Sequence, residues 1–258
     1  MRDRLPAIAL VATILVAWEA YVRLSGIEPV LLPAPSRIAT ALWDYRADAA
    51  RHAVPTIVET VVGFLIAVAL AIASAVAMDR VPAVRRSVEP ILVTSQTIPV
   101  IAIAPLFLLW FGFGLLPKIL VVVLVTFFPV VVALLDGFAQ ASRDATDLLR
   151  SYGATDGQAF RKLRWPTALP SLFIGLRIAV VYAVIGAVFG EYVGAKEGLG
   201  IWMQLSQNAF RTDLVFAAIV VTSAVSLVLY WVVGLIRRAT IPWAPGIRPE
   251  LDVEEQPY

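Results

Sequence analysis

Long runs without charged side chains restrict the fold of this chain more than any other feature. The longest of them, Pro90 to Pro117, has 28 residues. A bilayer core about 30 Å thick is crossed by roughly 20 helical residues, so runs of this length predict membrane-spanning helices. The other long runs are Thr60–Met78, Ile119–Leu135, Leu214–Ile236 and Trp165–Gly190, the last interrupted only by Arg177.

A sixth, shorter apolar run lies at the N-terminus. Leu5 to Trp18 follows two arginines, a pattern shared with cleaved signal peptides. The stretch around Trp18-Glu19-Ala20 lacks the small residues that a signal-peptide cleavage site needs at its two key positions. This favours an uncleaved first span. The composition agrees with a membrane protein, because 60% of the residues are hydrophobic and only 16% are charged, against about 25% charged in soluble domains.

The sequence therefore predicts an all-α membrane protein with about six transmembrane helices in a single domain, 1–258. The predicted spans are 5–24, 57–78, 91–112, 117–137, 168–191 and 213–236, and the polar segment 141–167 lies between the fourth and the fifth.

The distribution of basic residues predicts the orientation. With the N-terminus inside, thirteen arginines and lysines fall in inner segments and seven in outer ones, as the positive-inside rule requires. Both termini and the segment 141–167 are then cytoplasmic. The net charge of +2 is too small to suggest nucleic-acid binding, and the absence of cysteine excludes thiol chemistry.

The polar segment has the pattern of a short amphipathic helix. Thr155 followed by Gln158 predicts a capping box, and Gly153 can adopt a backbone conformation closed to other residues. Pro166 and Pro170 are expected to end this helix and begin the next span. Phe160 is expected to be the apolar anchor of the helix for a partner. Three interpretations remain open from the pattern alone: a docking element, a helix facing lipid headgroups, and an ordinary loop.

The same segment resembles the EAA loop of permeases of ATP-binding-cassette importers. That motif reads Glu-Ala-Ala, three residues, Gly, nine residues, then Ile-x-Leu-Pro. Here Asp147-Leu148-Leu149 is followed at these spacings by Gly153 and by Leu163-Arg164-Trp165-Pro166. Asp for Glu, Leu-Leu for Ala-Ala and Trp for Leu are departures that leave the spacing intact.

The resemblance to nitrate/sulfonate/taurine-type permeases extends along nearly the whole chain. The matching stretches are VLLPAPSRIATALW (30–43), HAVPTIVETVVGF (52–64), ALPSLFIGLRIAV, GEYVGAKEGLGIW (190–202) and RRATIPW (237–243). It implies half of a type I importer, with a second permease copy, cytoplasmic ATPase subunits and an external solute-binding protein. A homodimer is expected because closed two-fold pairs are the commonest arrangement.

The resemblance also implies roles for particular residues. Residues expected to couple the chain to the ATPase are Asp147, Gly153, Ala154, Thr155, Asp156, Phe160, Leu163, Pro166 and Arg177. Candidate pathway-lining residues are Thr94, Gln96, Thr97, Tyr182 and Glu191. Several of these residues have a competing interpretation. Glu191 could be a solvated helix end, and the side chain of Arg177 could reach to the cytoplasmic surface. Thr94, Gln96 and Thr97 could form hydrogen bonds between helices.

The sequence carries no G-x-x-x-x-G-K-[ST] motif, so we expect ATP and Mg²⁺ to be bound by the partner and no cofactor by this chain. A catalytic role within the membrane is not expected, and neither is metal binding by the single His52. A channel or secondary transporter is the alternative class. Residues 96–138 look most like permeases for thiamine pyrimidine precursors or riboflavin, while sulfonate, taurine and nitrate permeases share the framework. The expected location is the bacterial plasma membrane.

Overall fold

A computed structural model describes residues 5–95 and 99–243, and the described residues fold into helices and short connections. The helices are α1 Leu5–Ser25, α2 Pro35–Asp44, α3 Arg46–Arg80, α4 Pro82–Ser95, α5 Val100–Phe111, α6 Leu115–Ala139, α7 Arg143–Ser151, α8 Asp156–Ala159, α9 Trp165–Tyr192, α10 Leu199–Asn208 and α11 Thr212–Thr240. A π-helical turn, Phe160–Arg164, joins α8 to α9.

The centre of the fold is α6, which packs against α9 and α3. Glycines on α9 allow the close approach. A Cβ at Gly175 would lie 2.5 Å from the Cβ of Ala133, and one at Gly186 would lie 2.7 Å from Cγ2 of Val125. Small residues let helix backbones meet where lipid provides no hydrophobic drive between helices. The three helices therefore form the rigid part of the membrane domain.

Five helices of the described chain are long and apolar enough to cross a membrane: α1, α3, α6, α11 and the continuous helix from Asp156 to Tyr192. The first span is therefore a full 21-residue helix in the structure. The all-helical membrane fold predicted from the sequence is confirmed.

The third predicted span, 91–112, differs from the prediction. Its uncharged run is divided into α4, which ends at Ser95, and α5, which begins at Val100 after the non-helical Pro99. At 1.5 Å per residue, the 12 residues of α5 are too short to cross 30 Å. The backbone of Pro99 is extended, with ψ 114°, so the run is not one helix. Proline alone does not decide this, because α3 and α6 continue through Pro55 and Pro129.

The end of the amphipathic segment also differs. Pro166 and Pro170 do not end the short helix, because α8 continues through the π-helical turn into α9 without a break. Pro166 lies at the start of α9, directly after the π-helical turn, so the hydrogen bond that it cannot donate falls where the helix changes its bonding pattern. The five-residue π-helical turn accommodates the change in hydrogen bonding at this junction.

Candidate functional site

The apolar side of the loop 141–167 packs against the core of the same chain. The ring of Phe160 lies 5.5 Å from that of Phe138 on α6 and 6.1 Å from that of Trp165, and the guanidinium carbon of Arg80 lies 5.0 Å from its centroid. Phe160 is half-buried by these contacts, so its ring fixes the position of the loop relative to α3, α6 and α9. Its expected role as an apolar anchor for a partner stays a prediction.

An ion pair makes a second connection between the loop and α3. Nη2 of Arg164 donates to Oδ1 of Asp79 at 2.5 Å, and the side chain of Asp79 is only 3% exposed. Asp79 is the next-to-last residue of α3. Sequence reasoning missed this pair, because the two residues are 85 positions apart. The signal was an aspartate directly after the uncharged run that ends at Met78.

The backbone of the loop has two well-defined turns. Gly153 has φ +83°, and the Ala154 N–H donates to the Leu149 carbonyl while the Gly153 N–H donates to that of Arg150. This is the Schellman pattern of a helix C-terminus. The capping box predicted at Thr155 is confirmed, since its hydroxyl accepts from the Gln158 N–H and the Gln158 side chain accepts from the Thr155 N–H.

One arginine joins the two short helices. Nη2 of Arg150 on α7 donates to Oδ1 of Asp156 on α8 at 2.8 Å, and Nη1 lies 3.4 Å from Oδ1 of Asp147. The hydrogen bond with Asp156 raises the pKa of the Arg150 guanidinium. Asp147 and Asp156 are thus brought to one cation, while Leu163 and Pro166 lie half-buried at the junction with α9.

The opposite side of the loop is open. Tyr152 is 83% exposed and Leu148 is 57% exposed, and Arg161 and Lys162 of the same loop are also exposed. Exposed large apolar side chains are candidate contacts for another protein. Leu148 and Tyr152 are therefore further candidates for contact with a partner, which the sequence motif placed in the loop but which periodicity did not distinguish.

At the other end of α9, Glu191 is fully buried, which rules out the interpretation as a solvated helix end. Its Oε2 accepts from the Gly200 N–H at 2.6 Å, and its Oε1 accepts from the Thr56 hydroxyl at 2.5 Å. The Thr56 oxygen accepts in turn from the Leu199 N–H, and Nδ1 of His52 accepts from the Gly198 N–H. The only histidine thus helps to hold the beginning of α10.

A buried ion pair lies next to this network. Nζ of Lys118 on α6 contacts Oε1 of Glu59 on α3 at 2.6 Å, and the side chain of Glu59 is 1% exposed. The sequence gave no reason to pair residues 59 positions apart. Together the two groups of contacts tie α3, α6, α9 and α10 at one end of the helices.

The remaining predicted residues are separated in the structure. Arg177 packs against α11, where its guanidinium carbon lies 5.1 Å from the Tyr230 ring centroid, and its described contacts do not include the loop. Thr94 is exposed and donates to the Pro90 carbonyl. Tyr182 is exposed on α9. Gln96 and Thr97 lie outside the described residues.

These features define a class of protein: a multi-pass membrane subunit with a polar loop folded against its core and a face available to a partner. The family model described as binding-protein-dependent transport system inner membrane component matches residues 63–242. That match covers more than half of the chain, so the chain belongs to this family of membrane subunits of ATP-binding-cassette importers, whose permeases work with separate ATPase subunits.

Curated relatives support the same family. The chain is 38% identical to the formylaminopyrimidine transport permease protein ThiX of Halalkalibacterium halodurans, over 89% of this chain and 92% of that protein. It is 35% identical to the riboflavin transport system permease protein RibX of Chloroflexus aurantiacus, over 92% and 91%. An inward-facing structure of the MetNI methionine ABC transporter has a similar fold, with a TM-score of 0.60 and 22% identity over 78% of this chain and 97% of that chain.

Proposed function

We propose that two copies of this chain form the translocation pathway of an importer, with the loop 141–167 docked on a cytoplasmic ATPase subunit and a solute-binding protein on the outer face. The observation that carries the docking is the two-sided loop. Leu148 and Tyr152 are exposed on one side, while Phe160 and Arg164 are fastened to the membrane helices on the other.

The inner contacts give the loop a route for transmitting motion. Phe160 contacts α6 through Phe138, Arg164 contacts α3 through Asp79, and the π-helical turn continues into α9. A displacement of the loop by the ATPase is therefore applied to three helices at once. Asp147, Gly153, Ala154, Thr155 and Asp156 maintain the shape of the loop, and ATP and Mg²⁺ are bound by the partner.

An open face of α9 is the best candidate for the pathway surface. Its exposed side chains recur every three or four residues, which is one face of a helix: Ile174, Ile178, Val181, Tyr182, Ile185 and Phe189. The opposite face packs on α6. Two copies that bring these faces together would enclose an apolar passage with a tyrosine hydroxyl on each side. Glu191 is turned into the fold, so its task is structural.

We infer that the solute is a small neutral heterocycle, a pyrimidine precursor of thiamine. The support is the identity to the formylaminopyrimidine permease and the open face of α9, which is largely apolar and has Arg177 as the single cation among the residues that line the cavity beside it. Riboflavin is the nearest alternative, and sulfonate, taurine or nitrate the next. The excess of basic residues supports a cytoplasmic location for both termini and the loop.

The docking proposal is tested by cross-linking. The chain has no cysteine, so Tyr152→Cys introduces a single reactive thiol in the loop. We expect it to cross-link to the co-expressed ATPase, and a matched Trp43→Cys variant, exposed on α2, to remain uncross-linked. If both variants react equally, or neither reacts in an active complex, the loop is not the docking element.

The substrate is tested by ATP hydrolysis in the complex purified with its binding protein and reconstituted in lipid. Stimulation by a formylaminopyrimidine, and none by taurine or nitrate, is the expected result. Solute uptake by the chain alone, driven by a pH gradient without ATPase, would favour a secondary transporter. One observation favours a secondary transporter: Glu59, Lys118 and Glu191 form an ionisable cluster within the membrane helices.

A further inference from the structure

Arg177 carries a charge inside an apolar helix without an acidic partner in the described chain. Among residues 5–95 and 99–243, no carboxylate lies within ion-pair distance of its guanidinium, and its buried Nε has no hydrogen-bond partner. The ring of Tyr230 supplies only a cation–π contact. A buried guanidinium is costly unless an anion or hydrogen-bond acceptors compensate it.

The space beside Arg177 is a crevice between α9 and α11. Its lining residues are Arg177, Tyr230, Trp231, Gly234, Leu235 and Arg238. Gly234 leaves room for the guanidinium, because a Cβ there would lie 2.9 Å from Nη2 of Arg177. Arg238 follows Gly234 by about one helical turn and is exposed in the last turn of α11. Two guanidinium groups therefore line one crevice.

The surface around the crevice is suited to lipid. Leu227, Trp231 and Leu235 repeat every four residues along α11, and all three are exposed. An apolar stripe that ends in a tryptophan and an arginine is typical of a helix crossing from hydrocarbon to headgroups. The same end of α11 is cytoplasmic by the positive-inside rule, where anionic lipids are concentrated in many membranes.

We propose that this crevice binds the phosphate of an anionic phospholipid of the cytoplasmic leaflet, with Arg177 and Arg238 on the phosphate and the acyl chains along Leu227, Trp231 and Leu235. Guanidinium groups match phosphate geometry with paired donors. A free phosphate would satisfy the same charges, but it would leave the apolar stripe beside them without an occupant. The inference depends on the membrane orientation and not on ATP-driven transport.

The test is lipid retention by the full chain, purified with its partner subunits and measured by native mass spectrometry. Phosphatidylglycerol, phosphatidylcholine and inorganic phosphate are the probes. We expect preferential retention of phosphatidylglycerol, weakened about fivefold for each arginine replaced, since one basic group near an anionic surface contributes about that much. Arg177→Gln/Arg238→Gln should abolish the preference for the anionic lipid.

Arg46→Gln is the matched control, because Arg46 also lies over an aromatic ring, that of Trp43, but at the opposite end of the fold. It should retain lipid as the unmodified chain does. The single exposed change Arg238→Gln keeps the test valid if Arg177→Gln fails to fold, which thermal unfolding in detergent reveals. Retention needs no turnover, so an inactive importer does not affect the result.

Three results would overturn the proposal. Retention of phosphatidylglycerol by the double variant at the unmodified level would show that the crevice is not the site. Displacement of the lipid by millimolar inorganic phosphate would identify a phosphate site. If the double variant binds lipid as the unmodified chain does but no longer associates with a second copy of the chain, that second copy occupies the crevice.

Discussion

The Oε2 atom of Glu191 and the backbone N–H of Gly200 are joined by a 2.6 Å hydrogen bond, so the last turn of α9 caps the first turn of α10. Gly198, Leu199 and Gly200 each donate to a different side chain, of which two lie on α3. A helix begins with N–H groups that lack helical acceptors, and a carboxylate there is favourable. The outer turn is therefore held by acceptors from two other helices.

Replacing this carboxylate should destabilise the protein. Glu191→Gln keeps the size of the side chain but replaces a carboxyl group whose two oxygens each accept a hydrogen bond with an amide that offers one acceptor and two donors. Loss of such a bond in a buried site costs about 2 kcal/mol. We expect a lower midpoint of thermal unfolding in detergent.

The control for Glu191 is Glu197→Gln in the same turn. Glu197 is paired with the exposed Arg51, and exposed pairs contribute little, so its midpoint should be nearly unchanged. Equal effects of the two substitutions would mean that the buried network is not what holds the turn.

The ion pair of Lys118 and Glu59 predicts a non-additive response. Lys118→Met leaves the buried carboxylate of Glu59 without its cation, and removing one partner of a buried pair costs about 3–5 kcal/mol. Adding Glu59→Gln removes the stranded charge, so the double variant should unfold at a higher temperature than Lys118→Met alone. Additive losses in this double-mutant cycle would contradict the pairing.

The family, the helical membrane fold and the capping box at Thr155 could all be predicted from the sequence, because they depend on hydropathy, local spacing and motif. The contacts that hold the site could not. Asp79 and Arg164 are 85 positions apart, and Glu59 and Lys118 are 59 apart. No local pattern records which helices will be neighbours.

The differences from the prediction have the same origin. The sequence predicts Phe160 as an anchor for a partner, and the structure packs its ring against Phe138 and Trp165, a contact that depends on how α6 and α9 meet. Pro166 and Pro170 are predicted to end the short helix and begin the next span. Pro166 does lie at the start of α9, but the π-helical turn before it lets the helix continue.

Substitutions at two glycines of the loop distinguish the effect of backbone strain from the effect of added side-chain volume. Neither Gly153 nor Gly157 has an atom within 4 Å of an added Cβ, but only Gly153 has a positive φ. Gly153→Ala should cost about 1 kcal/mol through the left-handed conformation and misplace Leu148 and Tyr152. We expect reduced solute-stimulated ATP hydrolysis by the assembled importer.

Gly157→Ala is the matched control for Gly153→Ala. It adds the same methyl group to the same loop in an ordinary helical conformation, so stimulation should be close to normal. If Gly157→Ala is as impaired as Gly153→Ala, added volume at the interface and not backbone conformation is responsible.

The ion pair of Glu197 with Arg51 predicts that the stability of the fold depends slightly on pH. The hydrogen bond from Arg51 lowers the pKa of Glu197 below its usual range. A carboxyl whose pKa is lower in the folded state stabilises the fold above its unfolded pKa, and this contribution is lost as the pH falls through the folded pKa. In Arg51→Gln, a carbon-13 titration of Glu197 should show the pKa returning upward. An unchanged pKa would mean that the pair does not form in solution.

Loss of the ion pair between Asp79 and Arg164 should uncouple ATP hydrolysis from transport. Asp79→Asn keeps the shape of the side chain but removes the charge that holds Arg164, and the proposed ATPase contacts of Leu148 and Tyr152 are untouched. The complex should therefore assemble with normal affinity and hydrolyse ATP, while solute uptake per ATP falls several-fold because movement of the loop no longer reaches α3. Asp144→Asn, on the exposed first turn of α7, is the control and should transport normally. Uptake and hydrolysis that fall together in Asp79→Asn would instead assign this ion pair to the stability of the loop.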